Sequence, residues 1–542
     1  MSDTTETLDA PEDLAPEASA YETTHQTGQN NVQVLGMDVH NPVFPMSATL
    51  ILAFVIGALA APEESSAWMS SLRDRILENA DWFFIFVTNV AVLFAAALAF
   101  TPFGSIRIGG DDARPEFSTK SWIAMLFSAG VGIGMVFYGT AEPLAYYTDW
   151  FGTPLDVQAM TPEAERLAFS ATIFHWGLTP WAIYAVIGLS LAFFTFNKGL
   201  PLTIRSIFYP IFGERIWGWP GHIIDLVAVV ATLFGLATSL GLGAMQAASG
   251  LDFLFGVGDG IRTQVILIIA ITAVAVLSVI RGLEGGVKVL SNVNILIAIA
   301  VLIFVIIAGP TAEIVASYLP NGGAYLADSF RFSNWIGRAD EEWFHGWTIF
   351  YWAWWISWSP FVGMFIARVS RGRTVREFLF AVLVIPTLAA VIWFSSFGKA
   401  AVAQVKAGVG SLPDGIEDIS LVLFQTLENL PFSGISSFVA ILLLFVFFVT
   451  SSDSGSLVID SITAGGKLNA PVPQRIFWAV MEGLVAIVLL IGGGSVALTA
   501  LQSGAISVGL PFSFVLLLAC LSLTLGLRDE RRVMDELAAR AK

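Results

Sequence analysis

Apolar residues come in runs of about 20 along most of the chain, each long enough to cross ~30 Å of hydrocarbon as a helix. An outer-membrane barrel would alternate apolar and polar positions over ~10-residue segments instead. The runs predict twelve spans, near 44–62, 81–103, 121–147, 168–195, 222–250, 264–281, 287–309, 345–367, 376–398, 433–460, 474–493 and 499–526. The expected fold class is an all-α polytopic membrane protein. Residues 1–43 are polar and rich in Thr, Glu, Ala and Pro, and read as an acidic disordered tail. They lack the basic segment and short apolar core of a signal peptide. The segment 311–338 is only partly apolar, which suits a helix on the membrane surface or packed outside the bundle.

Two spans are poorly suited to a simple helix. The third contains Gly130-Val131-Gly132-Ile133-Gly134, with Gly139 beyond, and each glycine costs about 1 kcal/mol against alanine. The eighth contains Trp352-Ala353-Trp354-Trp355-Ile356-Ser357-Trp358-Ser359-Pro360. Its proline removes a backbone hydrogen bond and opens the preceding turn. Interrupted spans at matching places in two halves point to a transporter built from repeats. Spans 3–7 and 8–12 would be the halves, of opposite topology because five is odd. The repeat rests on topology, since the side chains of the two halves show no similarity.

Composition narrows the class further. Of 542 residues, 56% are hydrophobic and only 13% charged, and the mean hydropathy is +0.74; a soluble domain carries about 25% charged residues. The single cysteine, Cys520, excludes an internal disulfide and a thiolate metal cluster. Half of the net charge of −16 sits in the N-terminal segment, and no basic surface for nucleic acid stands out. Lys and Arg divide nineteen to eight between the two sets of loops, the larger set including the tail after Leu527. By the positive-inside rule both termini are cytoplasmic, which agrees with an even number of spans. The spans show no metal-ligand spacing and no nucleophile–base pair, so an enzyme is disfavoured.

The candidate chemistry lies in the irregular spans. Span 4 carries His175-Trp176-Gly177-Leu178-Thr179-Pro180-Trp181-Ala182-Ile183-Tyr184. Trp181 and Tyr184 share a helix face, as do Trp354, Trp355 and Trp358 in span 8. Such rings are either an interfacial belt or a box for a quaternary ammonium group, held by ring quadrupoles at ~0.5–2 kcal/mol per face. Glycines at 130 and 134 suit close helix packing; Gly132 between them also allows unwinding, which frees carbonyls and amides for ions or a substrate carboxylate. Span 10 carries Thr450-Ser451-Ser452-Asp453-Ser454 after Phe447-Phe448-Val449. These hydroxyls either bond back to their own helix or, with backbone carbonyls, ligate a monovalent cation such as sodium. Three intramembrane acids are candidates for transport roles: Glu142, Asp225 and Asp453. His175 is a proton carrier or a hydrogen-bonded packing residue.

The stretch Gly132-Ile133-Gly134-Met135-Val136-Phe137-Tyr138-Gly139-Thr140-Ala141-Glu142-Pro143 resembles the third span of the betaine/choline/carnitine transporters. The stretch from Phe350 through Trp358, Pro360 and Phe361 to Arg371-Gly372-Arg373 resembles their eighth. The resemblance covers about residues 40–527. It implies a LeuT-type 5+5 inverted repeat after two extra helices, and a homotrimer in membrane lipid. The chain would then divide into the tail 1–43, two additional helices and a loop at 44–119, a first repeat at 120–309, an external or interfacial helix at 310–344, a second repeat at 345–526 and a short cytoplasmic tail at 527–542.

The resemblance also implies site residues. The aromatic box becomes Trp176, Trp181, Tyr184, Trp354, Trp355 and Trp358, with the backbone around Gly130, Gly132 and Gly134 for the substrate carboxylate. The principal sodium would take carbonyls of Ser128, Val131 and Phe447 and hydroxyls of Thr450 and Ser451. A second sodium would use Thr232 and Phe361, but the other hydroxyl position is Leu236, which cannot ligate a cation. Osmotically stimulated members often carry a long basic C-terminal helix, whereas this tail is short and of mixed charge. The expected function is import of glycine betaine or a related zwitterion (ectoine, dimethylsulfoniopropionate, carnitine) by sodium symport, in a prokaryotic inner membrane and without a cofactor. A proton-coupled choline importer and a non-transporting osmosensor are the rivals. Choline carriers of the family place Asp where this chain has Gly134, so the glycine segment predicts discrimination against choline.

Overall fold

The computed structural model describes residues 20–130, 132–281 and 287–540, with only the backbone described at 127–130, 281, 287–292 and 540. The first apolar runs form α1 (Val43–Ala60) and α2 (Pro62–Phe100). Pro62 starts α2, where its missing N–H would have had no helical partner. The third run is divided into α3 (Thr119–Gly130) and α4 (Ile133–Thr148). The fourth is divided too, into α5 (Pro162–Trp176) and α6 (Leu178–Phe196), which meet at Gly177. The short α7 (Tyr209–Phe212) leads into α8 (Trp219–Phe255). Next come α9 (Ile261–Arg281), α10 (Val287–Ala308) and α11 (Thr311–Phe332). The one-turn α12 (Glu341–Trp343) and a π-helical turn at Phe344–Ile349 run into α13 (Phe350–Arg368). A capping box between Thr374 and Glu377 starts α14 (Val375–Ala407). The short α15 (Val422–Glu428) precedes α16 (Ser433–Thr463), α17 (Val472–Gly493) and α18 (Ala497–Arg540).

The protein is thus mostly helical and polytopic. Among the described residues, eight helical runs are long and apolar enough to cross a membrane, or nine if Val293–Ala308 and Thr311–Phe332, bent by 112°, count as one span. Fewer runs pass than the twelve expected, for physical reasons. The break after Gly130 leaves halves too short to cross alone, and α13 is rich in Trp, Tyr and Ser, which lower its hydropathy. The last two expected spans form one run, Val472–Ala539.

Several expectations need correction. The helix α13 runs through Pro360 without a break. The Ile356 carbonyl, deprived of a donor by that proline, accepts instead from the Ser359 hydroxyl at 2.7 Å. The irregularity lies earlier, in the π-helical turn. The N-terminal segment is not wholly disordered: Asn31–Val34 and Met37–His40 form an antiparallel hairpin. Leu35 and Gly36 both have positive φ, 51° and 76°, the geometry that two-residue hairpin turns favour. The hairpin is held to the bundle by Asn31 Nδ2 donating to the Ala464 carbonyl at 2.8 Å and by Lys467 on Asp38 at 2.5 Å. The C-terminal tail continues α18, where Glu530 lies 2.8 Å from the buried Lys198 ammonium.

The amphipathic α11 packs one face against the bundle. Ile314, Ser317, Asn321, Tyr325, Asp328 and Phe332 are buried at helical spacing. This face meets α5 and α14, with Arg166 on Asp328 at 2.5 Å and Asn321 on the Ser395 hydroxyl at 2.9 Å.

Candidate functional site

Helix breaks place the site. Gly132 is extended (φ −139°, ψ −170°) between α3 and α4, so α4 begins in mid-bundle facing α13. A Cβ at Gly134 would stand 2.7 Å from a ring carbon of Trp354 and 2.8 Å from one of Trp176. Only glycine lets the α4 backbone approach both indoles. The break at Gly177 sets Trp176 on one helix and Trp181 and Tyr184 on the next. The hydroxyl of Tyr325, from the external α11, accepts from the freed Leu178 N–H at 3.1 Å.

These elements enclose a cavity with about 430 Å³ of empty space. Its walls are Trp176, Trp181 and Tyr184 from the fourth run and Trp354, Trp355 and Trp358 from α13. Gly132 and Gly134 close one side, and Pro180 and Ser239 complete the lining. The rings are set by mutual contacts: Trp354 stacks on Trp355 at 4.6 Å between centroids, and Trp176 meets Trp355 edge-on at 4.8 Å. Indole N–H groups of three walls have defined acceptors: Trp176 on Glu142 at 2.7 Å, Trp355 on the His175 carbonyl at 2.9 Å, Trp354 on the Gly235 carbonyl at 3.3 Å. That of Trp358 is buried without a partner among the described residues.

Behind Trp176 lies Glu142, fully buried in α4. Its Oε1 accepts from the Tyr146 hydroxyl at 2.9 Å and faces His175 Nδ1 at 2.9 Å. Its Oε2 accepts from Trp176 Nε1 at 2.7 Å and from the Tyr351 hydroxyl at 2.5 Å. The other ring nitrogen of His175 lies 3.0 Å from the Thr348 hydroxyl, in the π-helical turn. One carboxyl group therefore ties α4, α5 and α13 together. The glutamate and the histidine were legible as oddities in apolar spans. Tyr146, Tyr351 and Thr348 were not singled out, and neither were Pro180 and Ser239.

The expected sodium ligands are only partly described. Val131 lies outside the described residues, and of Ser128 and Gly130 only the helical backbone is described. On α16, the Thr450 hydroxyl donates to the carbonyls of Val446 at 3.0 Å and Phe447 at 3.1 Å. This is the back-bonded arrangement, and it sets the Thr450 and Phe447 oxygens side by side, with Ser451 next on the helix. At the expected second site, the Thr232 hydroxyl is buried with no partner among the described residues. Phe361 stands edge-on to Trp358 at 5.5 Å. Leu236 stands where the resemblance expects a second hydroxyl, and its side chain is pressed against Gly455 of α16.

The remaining acids sort by partner. Asp225 does more than cap α8: it takes a 2.5 Å ion pair from Arg205 and a backbone N–H at 3.0 Å. Asp453 accepts from Ser278 at 2.9 Å. Within the expected spans, two buried acids escaped the sequence reading, Asp460 and Glu482.

A membrane-embedded helical bundle with a closed aromatic cavity between interrupted helices has the build of a solute transporter. The model of the betaine/carnitine/choline family of transporters matches residues 42–532, and the chain belongs to that family. A glycine betaine transporter of Vibrio parahaemolyticus is 56% identical over 512 residues, which cover 94% of this chain and 98% of that protein. A glycine betaine/proline/choline/ectoine transporter of the same species is 57% identical over 511 residues, 94% and 91% of the two chains. A glycine betaine transporter of Bacillus subtilis is 42% identical over 493 residues, 90% and 95% of the two. The protein is a transporter and not an enzyme.

Proposed function

We propose that this protein imports glycine betaine or a related zwitterion by sodium symport. The observation that carries the reading is the cavity of six aromatic rings beside the extended glycine backbone. Methylated ammonium groups offer no N–H for hydrogen bonding and are held by ring faces. The backbone beside Gly132 and Gly134 suits the carboxylate, as at other half-helix ends in transporters. The relatives' names support the same solute class, and ectoine appears in one of them. Carnitine and dimethylsulfoniopropionate share the chemistry. Sodium coupling follows from the family resemblance, which puts the hydroxyls of Thr450 and Ser451 on α16 at a sodium site. On this reading the protein has twelve spans in a 5+5 inverted repeat, with α3 and α4 as one interrupted span and the run 472–539 divided at Gly494–Val496. It sits as a homotrimer in a prokaryotic inner membrane with both termini cytoplasmic.

The test is uptake of radiolabelled solutes by the purified protein in proteoliposomes, with sodium present or replaced by potassium. Betaine uptake that requires sodium supports the reading. Ser451→Ala and Thr450→Ala should each raise the sodium concentration for half-maximal uptake, with less change in betaine affinity at saturating sodium. Betaine uptake indifferent to sodium would replace the sodium site with proton coupling.

A further inference from the structure

The geometry points to Glu142 as a positioning residue that sets the charge selectivity of the cavity: its negative charge, acting across the Trp176 wall, lets the cavity accept a bare quaternary ammonium cation as well as a zwitterion. This inference rests on the transporter reading and deepens it at the same cavity. The glycine segment alone predicts the reverse, because it holds no carboxylate. The fold supplies one from further along α4.

The donor set at Glu142 is that of a carboxylate. Both oxygens receive two contacts each, at 2.5–2.9 Å. Trp176 Nε1 can only donate, and Tyr351 reaches the same oxygen. Among the described residues no Lys or Arg pairs with it; the basic group at its oxygens is His175. The Thr348 hydroxyl faces the other nitrogen of that ring and can give it a proton to accept. With its proton on Nδ1 the imidazole donates to Oε1 and completes the set of donors around the carboxylate.

This charge sits one indole width from the cavity. Trp176 is both a cavity wall and the donor to Oε2. A charge-assisted hydrogen bond from the indole N–H to a carboxylate pushes electron density into the ring and deepens the negative face that a cation meets. The carboxylate also acts directly, through a dry interior where charges are poorly screened. A zwitterion gains little from this field, since its carboxylate is repelled as its ammonium is attracted. A bare cation gains in full. Glu142 touches no solute; its effect passes through the Trp176 ring it holds and through the field of its charge, which makes it a positioning residue.

The experiment compares parent and Glu142→Gln, purified at full length into proteoliposomes, and measures KM and maximal rate for betaine and for choline. The expected result is a rise of about tenfold in the KM for choline and about threefold or less for betaine, taking an effective dielectric near 20. Glu142→Asp should restore part of the choline-to-betaine ratio. A merely structural role would lower the rate or yield for both solutes alike; an unchanged KM ratio overturns the inference. If the Gln variant does not fold, the parent still decides. Choline must compete for betaine uptake, and its neutral carbon analogue, 3,3-dimethylbutan-1-ol, must not. A parent that carries betaine but ignores choline overturns this inference and leaves the transporter reading intact. A parent that carries neither overturns both.

Discussion

Glu142 and Glu482 are both fully buried carboxyl groups on helices of an apolar bundle, yet their surroundings are opposite. Glu142 has four polar contacts drawn from α4, α5 and α13. Glu482, on α17, has one: the Ser452 hydroxyl on Oε2 at a long 3.3 Å. Its Oε1 is buried with no partner among the described residues. Next to Ser452 stands a second acid, Asp453. An isolated buried charge costs several kcal/mol unless it is paired and hydrogen-bonded. Burial is the same at the two sites, so partners alone separate a group that organises the fold from one that the fold carries at a cost.

The largest effect should come from emptying the satisfied site. Glu142→Ala leaves two tyrosine hydroxyls, an imidazole and an indole N–H without their shared acceptor. Removing one partner from a buried charged cluster costs about 3–5 kcal/mol. The variant should show a sharply lower melting temperature and little monodisperse protein in detergent. If it melted with the parent, water or neighbouring groups would have to satisfy the donors, and the contrast with Glu482 would fail.

Gly134→Asp probes the wall that Glu142 supports. The Cβ alone meets Trp354 and Trp176 at 2.7 and 2.8 Å, so both indoles must shift, and overpacking of this kind costs about 1–3 kcal/mol. Betaine affinity should fall by at least tenfold. The new carboxylate, if the rings make room, should shift preference toward choline. Retained betaine affinity would show that Trp176 is free to move despite its bond to Glu142.

The cavity walls repeat the comparison on a smaller scale. Trp354→Leu or Trp358→Leu removes one ring face, about 1–2 kcal/mol or ~5–30-fold in affinity. Phenylalanine separates the walls further. Trp176→Phe keeps a ring but takes a donor from Glu142, whereas Trp358→Phe removes an N–H that has no partner among the described residues. Direct betaine binding should weaken clearly in the first and only slightly in the second. Equal losses would mean that Trp358 donates to the solute.

The same contrast explains what was legible in the sequence. Ring clusters and glycine runs are local, so eight of the ten cavity-lining residues could be named from spacing and resemblance. The Glu142 hub is not local: Tyr146 is one turn away, but His175 and Tyr351 lie 33 and 209 positions on. No periodicity reveals that they converge. The break at Gly177 was hidden inside a well-formed apolar run, and Pro360 suggested a break that a serine hydroxyl repairs. Glu482 was legible and overlooked: a lone acid in the middle of an apolar helix.

The smallest expected effect is at that overlooked acid, and it tests the comparison most directly. Glu482→Gln keeps size and shape and removes the ionisable group. Its amide can still meet the Ser452 hydroxyl, and a second neutral polar group beside Asp453 ends any repulsion between two acids in one dry interface. Replacing a poorly paired buried charge by a neutral group is often neutral or stabilising. The variant should melt at or slightly above the parent temperature, within about 1 kcal/mol of it, while Glu142→Ala falls far below. The measurement is thermal unfolding of the two purified variants beside the parent, in the same detergent and at the same sodium concentration. If Glu482→Gln fell as far as Glu142→Ala, the unpartnered oxygen would have to be holding something the fold needs, and a cation between α16 and α17 would be the first candidate. If it does not fall, hydrogen-bond partners, and not depth in the bundle, decide which buried acids this fold depends on.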